Sequence, residues 1–378
     1  MSDTSSSTGS KPTRFSLPRW HDLHVHLRQG GGLSAYVKAQ LDMGCVGSLA
    51  MPNTKPPVTR VHDRDEGSGW SIEDYRGQIL AAGGDAFDKL IVPLYLSAET
   101  TPQMIEAGAK SGMLEACKYY PPHGTTNSDH GRPAQHFIDN GVFAAMADNG
   151  VVLCTHGEEH GLEGADFFDK HANAESRFYT ETMPRIVDGA PNLKVVAEHI
   201  TTKAAVDFVN GASDLVAATI TPQHLMFTVG DLLQGLKYHL YCMPVLKFDE
   251  DRTALMQAAT DSHNTRFFAG TDSAPHVKKA TACGCAAGCF TGGIAPQLYA
   301  MAFEEFGVNL SDTESQRIFT EFLSLIGPRY YGFKPSTQQM TLTKTPSAVA
   351  PLETEDGSIV PLPLGLGQSE IPWSLTLD

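Results

Sequence analysis

The sequence has no long run of consecutive apolar residues, and it is poor in basic side chains. Because a membrane-spanning helix needs about 20 apolar residues, the first absence predicts a protein without a transmembrane helix. The chain has 28 Lys and Arg residues and 43 Asp and Glu residues, which gives a formal net charge of −15 at pH 7. A nucleic acid or an anionic membrane requires a positive surface, so neither is expected as a partner. A small anionic substrate held by a few local cations is compatible with this charge.

Signals for disulfides and for secretion are absent as well. The chain has 7 cysteines, an odd number, and several lie within apolar runs, as Cys154 does. This pattern is typical of free thiols buried in a reducing compartment. The N-terminus is rich in Ser, Thr and Gly and lacks a basic region followed by an apolar one, so we expect a disordered tail at residues 1–13 and no secretory signal. These features predict a soluble, cytoplasmic protein.

Neither a GxGxxG motif after the first apolar segment nor a Walker A motif is present, so a nucleotide site is not indicated. Instead, short apolar segments alternate with amphipathic stretches, including helices predicted at residues 202–210 and 251–262. Eight such units predict an α/β protein with parallel strands, either a closed (β/α)8 barrel or an open doubly wound sheet. We favour a TIM barrel over residues 14–334, followed by a small appendage over residues 335–378 that packs on the barrel. The predicted strands are residues 20–27, 47–52, 90–96, 114–119, 150–156, 193–200, 215–220 and 266–271.

The most informative short motif is His24-Val25-His26, within the first predicted strand. Residues two apart on a strand point to the same face, so the two imidazoles project together. A lone buried histidine is usually a packed core residue, but a pair on one face of an apolar strand is harder to explain in that way. Arg28 takes the next position on this face and places a cation beside the pair.

Further polar residues recur near the carboxyl ends of the predicted strands. In a barrel these ends open at one mouth, where catalytic residues gather. Each residue alone could be an ordinary strand-end side chain, but together they form a set of metal-ligand types. Imidazoles and a carboxylate without thiolates favour Zn²⁺ or a related divalent ion at a hydrolytic site. These residues are Asn53, Lys118, His156, His199 and Asp272.

Longer motifs carry a resemblance to a known family. Between residues 17 and 290 the chain contains, in this order, DLHVHLRQG, MPNTKPPVT, CKYYP, THGEEHG, AEHITT, ATITPQHL, YCMPVLK and GTDSAPH. Together they resemble dihydroorotase, of the amidohydrolase superfamily. Ser273 in GTDSAPH is similar to the stand-alone, homodimeric type. The resemblance implies the reversible cyclisation of N-carbamoyl-L-aspartate to dihydroorotate in pyrimidine biosynthesis, by a homodimer.

The resemblance also implies two Zn²⁺ ions per chain. Lys118 would bridge them as an N6-carboxylated lysine, together with a hydroxide. An ammonium group cannot bind a cation, whereas a carbamate is a bidentate anion. Asp272 would act as general base and then as general acid. The other ligands implied are His24 and His26, which join Asp272 at one ion, and His156 and His199 at the second.

A clamp for the substrate carboxylate is implied as well. Arg28 can supply a bidentate pair of donors, with Asn53 and His276 beside it. The CGCAAGC stretch is one residue longer than the family pattern, so the residue that contacts the substrate ring there stays open among three neighbours. The implied ring contacts are His156, Met243, and Ala286, Ala287 or Gly288.

The polar segment at residues 121–131 resembles the mobile loop that closes over the substrate in this family, with Thr125 and Thr126 as its substrate contacts. Closure would exclude water and complete the site; the alternative is a plain surface turn. Three clustered thiols, Cys283, Cys285 and Cys289, have no obvious fourth ligand. We interpret them as reduced thiols near the site and not as a structural zinc site.

Two alternative functions are compatible with parts of this pattern. Hydantoinases and allantoinases share the set of metal ligands, but the presence of Arg28, Asn53 and His276 favours dihydroorotase. A non-catalytic barrel that serves as a scaffold would be expected to have lost ligands, and this chain retains all of them.

Overall fold

Eight parallel strands form a closed barrel in the computed structural model, which describes residues 12–122, 124, 127–282 and 284–378. Their sequences are largely apolar and β-branched, as in VVAE and VAATI, and nearly all their residues are buried. Strands covered on both faces have this composition because neither face meets water. The strands are β1 (Trp20–Val25), β2 (Cys45–Ala50), β3 (Lys89–Ile91, resumed at Leu94–Tyr95), β4 (Ala116–Tyr119), β5 (Val152–His156), β6 (Val195–Glu198), β7 (Val216–Ile220) and β8 (Phe267–Ala269).

The barrel closes at a seam between β8 and β1. The first part of β3 pairs with β2, and its second part continues the sheet through β4 to β8. At the seam, Val25 and Ser273 form a parallel bridge, and the Asp272 amide donates a hydrogen bond to the His24 carbonyl over 2.8 Å. The predicted TIM barrel is confirmed, and its closure brings the carboxyl ends of the first and last strands together.

All eight strands differ from their predicted bounds by one or two residues, and two of these differences have a local cause. The sequence predicts one strand over residues 90–96, but β3 is interrupted at Pro93, which has no amide hydrogen to donate. β8 ends at Ala269 because the Thr271 amide donates to the Asp22 carboxylate over 3.0 Å and not to a neighbouring strand.

Alternate residues on the strands point into the barrel. The apolar cluster inside it includes Ala116, Cys154 and Val196. Two positions further along β4, β5 and β6 stand Lys118, His156 and Glu198. Because side chains two apart share a face of a strand, these polar groups project into the barrel at the carboxyl ends of the strands. The barrel interior is therefore apolar at one end and polar at the other.

Helices cover the outside of the barrel. The two helices predicted at residues 202–210 and 251–262 are found at Lys203–Gly211 and Asp249–Thr260. Thr202 caps the first of them by accepting a hydrogen bond from an amide of the first turn, which satisfies a donor that the helix leaves free. The other helical segments are Leu33–Asp42, Ile72–Ala81, Gly84–Ala86, Pro102–Lys110, Ala134–Asp139, Val142–Asp148, Gly164–Phe167, Ala174–Arg177, Phe178–Thr182, Met183–Gly189, Pro222–Met226, Val229–Leu233, Tyr238–Leu240, Ala295–Glu305, Thr313–Thr320, Glu321–Leu325, Ile326–Tyr331 and Leu362–Gly365.

A small antiparallel sheet lies against these helices. Its strands pair in the order Arg14–Pro18, Gln339–Thr343 and Ser374–Leu377. Trp373 is fully buried, and its indole donates a hydrogen bond to Glu304 over 3.0 Å. The two ends of the described chain thus meet in one sheet. Shorter strands are Val58–Arg60, Trp70–Ser71, Ala280–Thr281, Gly284–Cys285, Ser347–Ala348, Leu352–Thr354, Gly357–Ile359 and Glu370–Ile371.

Residues 1–11, most of the tail predicted over residues 1–13, lie outside the described part of the chain. Within the described part, none of the helices is long and apolar enough to cross a membrane.

Candidate active site

The two histidines of the first predicted strand meet Asp272 at the barrel seam. His24 lies on β1, and His26 directly follows that strand. Asp272 Oδ1 is 3.4 Å from His24 Nε2 and 2.9 Å from His26 Nε2. The three residues that the family resemblance implies as ligands of one ion therefore lie together, with their side chains largely withdrawn from solvent.

His199 and His156 lie beside this group, at the ends of β6 and β5. The His199 ring centroid is 4.8 Å from that of His24 and 4.9 Å from that of His156. Ligand atoms of His24, His199 and Asp272 lie within 4.8 Å of one another, a spacing that could hold a cation. His199 Nδ1 is buried and has no hydrogen-bond partner among the described residues. A bound ion would supply that partner.

Lys118 reaches the same group from β4. Its side chain is fully buried, and its Nζ finds no hydrogen-bond partner in the described part of the chain. Nζ lies 5.2 Å from the centroid of the Tyr120 ring. Burial lowers the pKa of Lys118, although the Glu198 carboxylate opposes the shift. Burial thus shifts Lys118 toward the neutral amine, which is the form that reacts with CO₂.

Glu198 orients His24, and it is not among the residues predicted from the sequence. Its Oε2 is 2.7 Å from His24 Nδ1 and accepts a hydrogen bond from Thr219 Oγ1 over 2.6 Å. Burial would lower the pKa of His24, but the Glu198 carboxylate and the contact with Asp272 together outweigh it and raise that pKa. A carboxylate at Nδ1 keeps a proton on that nitrogen and leaves Nε2 for a cation. The one sequence signal is the alternation along β6, which places Glu198 on the inward face.

Two residues of the site have a left-handed backbone. The φ angles are 40° at His199 and 49° at Asp272. Neighbours on a regular strand point to opposite faces, so Glu198 and His199 could not both face the interior of the barrel. The left-handed turn at His199 ends β6 at Glu198, the preceding residue, and brings the side chains of both residues to the site. Such conformations cost about 1–3 kcal/mol and cluster at functional sites.

Two further buried carboxylates, those of Asp272 and Glu158, contact histidines of the site. Burial would raise the pKa of Asp272, but hydrogen bonds from His24 and His26 hold it well below its usual range. Glu158 Oε2 lies 2.8 Å from His156 Nε2. Asp272 is therefore an ionised carboxylate, and the imidazole of His156 has a carboxylate to fix its orientation.

The cluster opens into a cavity that Arg28 and Asn53 also line. Arg28 Nε donates to the Pro275 carbonyl over 3.0 Å, and this bond leaves the two terminal nitrogens of the guanidinium for a ligand. His276 Nε2 is 2.8 Å from the Ala287 carbonyl and 3.3 Å from an Arg28 terminal nitrogen. Burial and the charge of Arg28 lower the pKa of His276 to about 3, so its ring is neutral and the shorter contact identifies Nε2–H as a donor to the carbonyl. The three residues predicted to form a carboxylate clamp, Arg28, Asn53 and His276, thus lie close together.

Two loops form another side of the cavity. The sequence leaves open which of Ala286, Ala287 and Gly288 contacts the substrate ring. Ala287 and Gly288 line the cavity, and Ala286 does not. The amides of Ala286 and Gly288 donate to backbone carbonyls over 2.8 and 3.0 Å. The Ala287 amide has no acceptor among the described residues. Met243 lines the same cavity.

Thr125 and Thr126, predicted to contact the substrate, and Cys283 lie outside the described residues. Cys289 is buried and Cys285 is partly exposed, and all described cysteines are free thiols.

No family model matches the chain. Curated proteins named dihydroorotase are similar to it over nearly its whole length. The relative from Halorhodospira halophila is 40% identical over 366 residues, which cover 96% of this chain and 98% of the relative. The relative from Hahella chejuensis is 41% identical over 367 residues, with coverage of 96% and 98%.

Solved structures agree with these relatives. Dihydroorotase from Saccharomyces cerevisiae, in complex with 5-fluoroorotic acid, superimposes with a TM-score of 0.82 at 27% identity and covers 97% of this chain and 99% of that one. The enzyme from Campylobacter jejuni gives a TM-score of 0.81 at 26% identity, with coverage of 98% and 100%. An L-hydantoinase (dihydropyrimidinase) from Arthrobacter aurescens shares the fold, with a TM-score of 0.75 at 14% identity over 99% of this chain and 87% of that one. Identity of 40% over 96% of the chain, on a barrel of this kind, shows that the protein is a cyclic amidohydrolase and belongs to the dihydroorotase family.

Proposed function

We propose that the protein catalyses the reversible cyclisation of N-carbamoyl-L-aspartate to (S)-dihydroorotate and water, in de novo pyrimidine biosynthesis. The observation that carries this proposal is the position of Asp272 between two imidazoles, in a cavity that Arg28 also lines. A proton-transfer group and a carboxylate-binding group thus share one small-molecule site. Full-length similarity to dihydroorotases supports the choice of substrate over that of a hydantoinase.

Two Zn²⁺ ions are part of this proposal. The buried donors fit such ions, because His199 Nδ1 and Lys118 Nζ have no other partner in the described part of the chain. Nitrogen and carboxylate ligands without thiolates suit zinc at a hydrolytic site. When bound, two divalent ions supply a water molecule of lowered pKa and polarise a carbonyl. The proposed ligands are His24, His26 and Asp272 at one ion, His156 and His199 at the other, and carboxylated Lys118 between them.

Asp272 is the proposed proton carrier. In ring opening, its carboxylate takes a proton from the attacking water and then gives it to the departing amide nitrogen. In ring closure the same proton moves in the reverse order. In the metal-free protein, the contacts of Asp272 with His24 and His26 already hold its pKa well below the usual range, which supports a carboxyl that is available as the base.

Arg28 is proposed to hold the substrate carboxylate. Its Nε–H is fixed on the Pro275 carbonyl, so the plane of the guanidinium is set before the substrate arrives. A planar guanidinium binds a carboxylate through two parallel hydrogen bonds, which gives direction as well as charge. Asn53 and His276 complete this side of the site.

Three further parts of the proposal rest on the family resemblance alone. They are a closing loop that contains Thr125 and Thr126, assembly as a homodimer, and a cytoplasmic location.

Substrate choice is tested with dihydroorotate, with dihydrouracil, which is the same ring without the carboxylate, and with hydantoin. Turnover is followed by the far-ultraviolet absorbance of the ring amide. We expect conversion of dihydroorotate in both directions and a kcat/KM for dihydrouracil at least about 100-fold lower, because the carboxylate clamp stays empty. Equal or faster turnover of dihydrouracil or hydantoin would overturn the proposal in favour of a hydantoinase.

The role of Asp272 is tested with Asp272→Asn, and Asp42→Asn is the control for loss of one carboxylate at an exposed site. We expect the first variant to lose turnover and the second to keep it. Metal analysis of both accompanies the assay, with about two zinc ions expected per wild-type chain. An active Asp272→Asn protein would contradict the assignment of the proton carrier.

A further inference from the structure

We propose that Lys279 is a positioning residue that ties together the two loops on the substrate side of the cavity. This inference rests on the proposed function, and it assigns a task to a residue outside the metal ligands and the carboxylate clamp. Its side chain does not line the cavity. It acts through backbone carbonyls of residues that do.

The Lys279 ammonium group donates to three carbonyls. Nζ lies 2.6 Å from the Tyr241 oxygen, 2.5 Å from the Ala286 oxygen and 2.5 Å from the Gly288 oxygen. The residue is buried, with 8% of its surface exposed. An ammonium group has three N–H donors, so this set of acceptors satisfies all of them.

The three carbonyls belong to two loops that are distant in the sequence. Tyr241 lies two positions before Met243, whereas Ala286 and Gly288 belong to the CGCAAGC stretch. The backbone repeats this connection, since the Gly288 amide donates to the Tyr241 carbonyl over 3.0 Å. In addition, the Ala286 amide donates to the Lys279 carbonyl over 2.8 Å. Lys279 is therefore the point at which both loops and its own backbone are joined.

A second donor completes the arrangement. The Ala287 carbonyl, between the two that Lys279 holds, accepts from His276 Nε2 over 2.8 Å. The carbonyls of three successive residues, 286 to 288, are thus each fixed by an ammonium group or an imidazole. These contacts set the orientation of the peptide groups on either side of Ala287, and so the direction of the Ala287 amide. The positions of Ala287, Gly288 and Met243 in the cavity wall follow from this network.

Loss of the ammonium group would leave the Ala286 and Gly288 oxygens close together without a donor. Carbonyl dipoles that face one another repel, and buried acceptors without a partner are unfavourable, so the loops would move apart. Asp272 precedes Lys279 on the same segment, but its amide is fixed to the His24 carbonyl over 2.8 Å, so it and the other proposed metal ligands would keep their places. The effect should therefore fall on substrate binding and spare the proton-transfer step.

The test compares Lys279→Met with Lys278→Met, which removes the same charge from an exposed neighbour. We expect Lys279→Met to raise the KM for dihydroorotate about tenfold or more while kcat changes less than about threefold, and zinc content to match the wild type. Lys279→Arg, which keeps the charge and the N–H donors, should raise KM less than Lys279→Met does. Lys278→Met should behave as the wild type.

Other outcomes would overturn the inference. An unchanged KM in Lys279→Met, a loss confined to kcat, or an equal effect of Lys278→Met would each do so while leaving the proposed function intact. If Lys279→Met does not fold, Lys279→Gln, which keeps two N–H donors, takes its place with the same expected split between KM and kcat. Absence of turnover by the wild-type protein would overturn the proposed function and this inference with it.

Discussion

Glu198 and His24 lie 174 positions apart in the chain and meet through a 2.7 Å contact between Oε2 and Nδ1. Burial would raise the pKa of Glu198, but the charge and hydrogen bond of His24 hold it below its ordinary value. The carboxylate is therefore ionised in the barrel interior, directly behind an imidazole whose other nitrogen faces Asp272.

Glu198→Gln should weaken zinc binding by about 10- to 100-fold, because an amide fixes the imidazole less firmly and makes it a weaker ligand. The measurement is the zinc retained after dialysis against graded concentrations of a chelator. Glu370→Gln, at an exposed position, is the control for the same chemical change. Identical chelator midpoints for the two variants would contradict an orienting role for Glu198.

Lys118→Met should act in opposite directions on the metal-free and the metal-loaded protein. Without metal, the buried amine has no partner among the described residues, and its replacement should raise the free energy of unfolding by about 1–3 kcal/mol. With zinc present, the same variant should bind less metal because the proposed bridging ligand is gone. Urea unfolding with and without chelator measures both effects, with the exposed Lys110→Met as control. Destabilisation of the metal-free variant would show that the amine has a stabilising partner after all.

Gly288→Ala and Gly284→Ala separate steric fit from backbone strain. The φ angles are 136° and 147°, so an alanine is strained at either position. A Cβ at Gly288 would lie 2.6 Å from Ala274 Cβ and 3.0 Å from His276 Nε2, whereas one at Gly284 meets nothing within 4 Å. We expect Gly288→Ala to raise the KM for dihydroorotate at least about tenfold, because displacement of this loop misplaces substrate contacts. Gly284→Ala should leave KM close to that of the wild type, and equal losses in both would refute the steric argument.

Glu175 provides a pH-dependent term in stability. It is buried and accepts hydrogen bonds from the amides of Thr201 and Thr202 over 2.7 and 3.1 Å. Burial raises its pKa from 4.5 to about 7, although Lys247 opposes the shift. The folded protein therefore binds a proton in this range that the unfolded chain releases. The contribution of Glu175 to stability is complete below about pH 4.5 and is lost as the pH rises toward about 7.

We expect the difference in free energy of unfolding between the wild type and Glu175→Gln to fall by about 2–3 kcal/mol between about pH 5 and pH 8. Urea unfolding of zinc-saturated protein across this range gives that difference. Glu370→Gln should show no such trend, and a difference that is independent of pH for Glu175→Gln would contradict the raised pKa.

Local periodicity was enough to locate much of the site from the sequence. Lys118 and His156 face the interior because side chains two apart on a strand share a face, whatever the rest of the chain does. The strand-end positions of His199 and Asp272 follow from the βαβ pattern, since parallel strands present their carboxyl ends at one mouth. The left-handed turn at His199, which lets Glu198 also face inward, has no signature in the residue itself.

Contacts between distant segments carry no such periodic signal. Glu198 is identified only by its pairing with His24 across the barrel, and the choice of Ala287 over Ala286 depends on the carbonyls that Lys279 holds. Ser16 and Thr341, 325 positions apart, share a 2.7 Å hydrogen bond in the sheet that joins the two ends of the chain. Each of these pairings depends on the folded arrangement of the whole molecule.

The seam of the barrel also sets the moment at which activity can first appear during synthesis. His26 and Asp272, which meet there, are 246 positions apart, so the contact forms only after almost the whole barrel sequence has left the ribosome. Until then the emerging chain holds the histidines without Asp272, the proposed proton carrier, however many earlier strands have paired. On the proposed mechanism, we expect a nascent or truncated chain that lacks its eighth strand to be inactive, so that turnover would report closure of the barrel.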